Sequence, residues 1–128
     1  MDRRILIVDD SPTLRKVLSF YLEKRGYGCA EAVNGRLALE LLARERFDLI
    51  ILDMNMPVMS GSEVLATLRE HSDDAPPILI LSGDKEEETR ARSLAMGAQY
   101  YMTKPFRPPA VVAMIERILP VSAEVGKA

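Results

Sequence analysis

Five short strand-like segments punctuate the chain, each followed by a stretch with helical spacing. They are Ile5–Val8, Gly28–Ala32, Phe47–Leu52, Ile78–Leu81 and Tyr100–Met102. Strands that alternate with amphipathic helices over short links specify an α/β fold, with a parallel sheet and right-handed crossovers. The central run is apolar from Leu49 to Leu52, as expected of a strand buried on both faces, and it stops abruptly at Asp53. In open parallel sheets ligands gather at the carboxyl ends of the strands, so the residues at these stops carry the functional question.

The intervening helices are marked locally. Ser11 followed by Pro12 reads as an N-cap with proline in the first turn, and Leu14, Val17, Leu18, Tyr21 and Leu22 follow at helical spacing until Gly26. Asn34-Gly35 turns the chain into a helix with Ala38, Leu41 and Leu42 on its inner stripe. A third helix starts at Gly61 and points Val64, Leu65 and Leu68 inward. A fourth spans 86–96 and carries a thin apolar face of Ala91, Leu94 and Ala95, and a last one spans 108–119. Residues 1–119 make one domain of ordinary size, and 120–128 lack any core-forming pattern, as a tail or the start of a linker does.

Composition narrows the function classes. Apolar residues at 48% and charged residues at 28% fit a folded core and not a disordered chain. The net charge of -2 lacks the basic surplus of a nucleic-acid binder. The single cysteine, Cys29, rules out an internal disulfide and suits a reducing cytoplasm, where it serves as a small apolar strand residue. The first apolar run is too short for a membrane span. His71, near a helix end, reads as an exposed residue and not a ligand.

The strand stops are chemically coherent. Asp9 and Asp10 follow the first run, Asp53 the third, Ser82 the fourth and Lys104 the fifth, so the fold gathers them at one edge. At ~4 Å and an effective dielectric of ~20, each carboxylate pair repels by on the order of 4 kcal/mol, more than one lysine offsets for three acids. A hard divalent cation with oxygen ligands and room for water does so, which points to Mg²⁺, with Mn²⁺ as a substitute. Asp10 and Asp53 are then direct ligands, Asn55 supplies a main-chain carbonyl, and Asp9 acts through water. One Asp53 oxygen is left as a nucleophile toward phosphorus, with Lys104 as a second cationic contact and the Ser82 hydroxyl as a donor.

Asp9-Asp10, Asp53 with Met56-Pro57 and Gly61, Ser82-Gly83 and Lys104-Pro105-Phe106 occur in this order, each at a strand end. Taken together, residues 3–119 resemble the receiver domain of two-component response regulators, in particular the single-domain chemotaxis type. The resemblance implies a flavodoxin-like three-layer (βα)5 sandwich with strand order 2-1-3-4-5. It implies a signalling switch that catalyses only its own phosphorylation and dephosphorylation. Asp53 would take the phosphoryl group from a sensor histidine kinase or a histidine phosphotransfer protein, and Ser82 and Tyr101 would form the switch pair. The readout surface would be the fourth helix, fifth strand and last helix, engaging a downstream protein or a fused output domain, or pairing two copies through Val111, Met114, Ile115 and Ile118. Serine in place of the commoner threonine at the switch loses a methyl contact and keeps the donor. Asn55 and Asp84 are expected beside the site as neighbours that influence phosphoryl lifetime.

Two rivals are weaker. A Mg²⁺-dependent aspartyl-phosphate hydrolase or phosphotransferase needs a general acid two residues after its nucleophile, and Asn55 cannot carry that proton. A flavodoxin-type binder would cradle a phosphate in the loop where this chain places Asp9 and Asp10.

Overall fold

The structure is a computed structural model that describes residues 3–54, 61–71, 76–83, 87–95 and 97–121. The elements in chain order are β1 (Arg4–Val8), α1 (Pro12–Lys24), β2 (Gly28–Ala32), α2 (Gly35–Arg44), β3 (Leu49–Asp53), α3 (Gly61–His71), β4 (Ile78–Ser82), α4 (Glu87–Ala95), β5 (Tyr100–Thr103) and α5 (Pro108–Ile118). The five strands are parallel, in the order β2-β1-β3-β4-β5. β3 and β4 are buried along their whole length because they are central, whereas the edge strand β5 is half-buried throughout.

Alternation along each strand divides the core in two. Leu6, Val8, Ile50, Leu52, Ile78 and Ile80 pack on one face against Ala38 of α2 and Val64, Leu65 and Leu68 of α3. Ile5, Ile7, Leu49, Ile51, Leu79 and Leu81 pack on the other against Leu18 and Leu22 of α1 and Val111, Val112 and Ile115 of α5. Successive strand residues point to opposite faces, so an uninterrupted apolar run serves both layers.

The helices begin where capping chemistry places them. The Ser11 hydroxyl accepts from the Leu14 N–H at 3.2 Å, and the Asn34 side chain accepts from the Leu37 N–H at 2.9 Å. Gly26 and Gly97 adopt φ of 98° and 117°, and each closes the helix before it by two backbone hydrogen bonds to that helix's last turn.

Three expectations are corrected. The third strand starts at Leu49 and not at Phe47; at Asp48 the main-chain N–H donates to the Arg4 carbonyl at 2.7 Å, but the Arg4 N–H is taken by the Asp48 carboxylate at 2.8 Å. Tyr21 is exposed and Ser19 is buried, so α1 is rotated slightly from its apolar spacing. In α4, Ala91, Leu94 and Ala95 are exposed and Ser93 is buried. A stripe of three small or medium apolar residues is too weak to set the rotation of that helix.

Candidate functional site

Strand register brings the polar stops together. Val8 is opposite Leu52 in the β1–β3 ladder, so Asp9 and Asp53 leave the sheet side by side. Asp53 is opposite Leu81, and Ser82 is opposite Thr103, which sets Lys104 one step beyond the sheet on the other side of Asp53. The Lys104 N–H donates to the Ser82 carbonyl at 2.6 Å, extending β5 by one bond, and the Lys104–Pro105 peptide is cis.

The Lys104 ammonium lies 3.2 Å from Asp53 Oδ1 and 3.5 Å from Asp9 Oδ2. Its side chain is 30% exposed, while both carboxylates are about 2% exposed, so a partly solvated cation spans two buried anions. One carboxylate oxygen from each of Asp9, Asp10 and Asp53 lies within 4.8 Å of the others, with Asp10 exposed and the other two buried.

Asp9 is the most constrained of the three. Its Oδ1 accepts the Ser11 N–H at 2.9 Å. Its Oδ2 is buried without a hydrogen-bond partner; the lysine at 3.5 Å is at ion-pair distance and beyond a good hydrogen bond. Burial raises its pKa above the ordinary 3.8, the negative Asp53 and Asp10 add to the rise, and the Ser11 N–H and Lys104 oppose it without cancelling it. A buried carboxylate oxygen with no proton donor, beside two further carboxylates, suits a cation. Oxygen-only donors with an exposed member suit a hard divalent ion that keeps water.

The remaining predicted residues are placed as follows. Ser82 is buried at the end of β4. Tyr101 is half-buried, packing on the α2–α3 side of the core and also lining a cleft of about 410 Å³ with Arg90, Thr103, Phe106 and Arg107. Met114 and Ile118 pack against the α1-side core, which limits how much apolar surface α5 offers outward. Asn55, Met56, Pro57, Asp84 and the segment 122–128 lie outside the described residues. Cys29 is half-buried, and burial chiefly pushes its thiol up to about 12, in keeping with a packing role. Sequence reasoning missed Arg15, which donates to the Asp9 carbonyl and pairs with Glu31; only the register of β2 against β1 reveals that contact.

A family model described as the response regulator receiver domain matches residues 5–116. Among curated proteins, the transcriptional regulatory protein SrrA of Staphylococcus aureus is 39% identical over 119 residues, covering 93% of this chain and 48% of its own length. The chain thus spans about half the length of the curated relatives it matches. Among solved structures, chemotaxis protein CheY4 of Vibrio cholerae superposes with a TM-score of 0.86 at 37% identity, covering 93% of this chain and 100% of that one. The signal receiver domain of a signal transduction histidine kinase from Syntrophus aciditrophicus gives 0.82 at 36% identity, covering 91% and 89%.

Proposed function

The chain belongs to the response regulator receiver domain family, and from that premise we propose that it accepts a phosphoryl group on Asp53 and relays the event through the α4–β5–α5 face. The observation that carries this reading is Lys104 bridging Asp53 and Asp9 beside a third carboxylate, at the carboxyl rim of a parallel sheet.

In the proposed reaction an Asp53 oxygen attacks the phosphorus of a phosphohistidine. The P–O bond forms as the P–N bond breaks, and the imidazole leaves with the bonding pair. Lys104 neutralises charge on Asp53 before transfer and on the phosphoryl oxygens after it. Asp9, Asp10 and Asp53 would hold Mg²⁺, joined by the Asn55 carbonyl, and the chemistry it supplies when bound is neutralisation and alignment of the transferring group. With three carboxylates and one ammonium the bare cluster keeps a net charge near -2, which a divalent ion balances.

Phosphorylation adds roughly -1.5 to -2 charge at this rim. The Ser82 hydroxyl donates to a phosphoryl oxygen and moves the end of β4 with it. Tyr101, packed on the core and bordering the cleft, rotates inward and changes the α4–β5–α5 surface. A full swing from off to on takes about 5.5 kcal/mol of differential interaction, within reach of a few charge-assisted hydrogen bonds of ~1.5–3 kcal/mol each. The donor is a sensor kinase or phosphotransfer protein, and the receiver of the signal is a protein contact, a fused output domain or a second copy.

The direct test is incubation with acetyl phosphate and Mg²⁺. The wild-type chain takes up an acid-labile phosphoryl group, and Asp53→Ala does not while retaining its fold by circular dichroism. Labelling that persists in the variant removes Asp53 from its assigned role.

A further inference from the structure

Arg15 occupies the first turn of α1, where a cation opposes the positive end of the helix dipole. An arginine placed only for solubility gains nothing there. Its side chain is only 13% exposed, and its contacts face inward. One guanidinium nitrogen donates to the Asp9 carbonyl oxygen at 2.6 Å, and Nε donates to Glu31 Oε1 at 3.1 Å. Glu31 also receives Lys16 at 3.1 Å through its other oxygen, so its carboxylate is held from both sides.

These contacts complete the restraint of one residue. The Asp9 N–H donates to the Ala32 carbonyl at 3.2 Å, its carbonyl accepts from Arg15, and its Oδ1 accepts from the Ser11 N–H. Only Oδ2 is left without a hydrogen bond, and it faces Lys104 and the acidic cluster. Every other polar atom of Asp9 is tied to β2, to the α1 cap or to Arg15. Glu31 divides its one negative charge between Arg15 and Lys16, so the positive charge of the guanidinium is offset only in part where it fixes the carbonyl.

We propose that Arg15 is a positioning residue for phosphoryl transfer: anchored on Glu31, it holds the Asp9 main chain so that Oδ2 is aimed into the cation-binding cluster. The inference rests on the receiver reading above. Partners of this outer kind that orient metal ligands typically change metal affinity by 10–100-fold when removed.

Charge and positioning predict opposite signs for Arg15→Gln. Removing a positive charge near an anionic cluster should tighten Mg²⁺ binding, whereas losing the strut should loosen it. Calorimetric titration of Mg²⁺ into the whole chain is expected to show affinity about tenfold weaker in Arg15→Gln. With chelator present, the Ser11 amide, which is bonded to Asp9 Oδ1, is expected to exchange its hydrogen faster in that variant. In an Asp9→Asn background the same substitution should change Mg²⁺ affinity no further, because its effect passes through Asp9. Affinity equal to or tighter than wild type, or full additivity with Asp9→Asn, overturns the proposal. Should Arg15→Gln melt well below wild type, Arg15→Lys decides instead: it keeps the charge but cannot span both acceptors, so weaker binding supports the strut and wild-type binding overturns it. A wild-type chain that takes up no Mg²⁺ overturns the proposed cation-assisted phosphoryl transfer at Asp53, whereas normal wild-type uptake with an unaffected variant overturns the strut alone.

Discussion

At the residue scale, gathering acids at one rim carries a cost in stability, and Asp9 is where this can be measured. Burial first, then the negative Asp53 and Asp10, raise its pKa above 3.8 in the folded chain. The folded state therefore holds this proton more tightly than the unfolded state. The stability this lends is fully present below the ordinary carboxylate value and is lost as pH rises toward the raised one. At neutral pH, without a cation, ionised Asp9 is a standing penalty. Asp9→Asn is expected to raise the melting temperature in chelator at neutral pH by a few degrees, with ~1 kcal/mol worth about 4 °C in a domain of this size. The gap should close as pH falls toward 3.8, where wild-type Asp9 is itself protonated. A lower neutral-pH melting temperature in the variant would mean that the Lys104 attraction exceeds the cost of burial. The rim residues were legible from sequence because each ends an apolar run, and a run's end maps to a sheet edge without further geometry. Arg15 was not legible, since nothing in its local sequence distinguishes a strut from a surface cation.

At the scale of the element, strands were easier to read than helix faces. An apolar strand buried on both sides needs no rotational assignment, and β3 and β4 came within two residues of their expected bounds. A helix must also be rotated correctly, and α4 was not. Its exposed Ala91, Leu94 and Ala95 and its buried Ser93 show that the face turned inward is not the one its apolar residues mark. The end of α4 is better determined than its face. The Gly97 N–H donates to the Leu94 carbonyl at 3.2 Å and the Ala98 N–H to the Ser93 carbonyl at 3.2 Å, and Gly97 itself sits at φ +117°. A Cβ there would meet no atom within 4 Å, so any penalty for Gly97→Ala is one of backbone conformation. That penalty is expected to be about 1–2 kcal/mol. Urea unfolding checks it: the midpoint should fall with an unchanged m-value. An unchanged midpoint would show that the turn relaxes to a negative φ without loss.

At the scale of the molecule, the two rims of the sheet hold different sets of contacts. The carboxyl rim gathers the acids and Lys104, while at the amino rim the start of β2 is tied to the chain leaving α5. The buried Tyr27 hydroxyl donates to the Leu119 carbonyl at 2.6 Å, joining residues 92 positions apart. Arg3 Nε donates to the Pro120 carbonyl at 3.3 Å, and Val121 lies against the position of a Gly26 Cβ. These contacts join α1, β2 and α5 on one face of the sheet and fix where the chain leaves it. Tyr27→Phe removes the hydroxyl but keeps the ring, so the Leu119 carbonyl loses its donor. The expected loss is about 1–3 kcal/mol of stability. Because the acids lie at the other rim, acetyl-phosphate labelling of Asp53 should proceed at the wild-type rate below the variant's melting temperature. Measuring both on one preparation separates the two rims: lower stability with unchanged labelling supports independent rims. A parallel loss of labelling in the folded variant would show instead that the α1–α5 layer transmits strain across the sheet to Asp53.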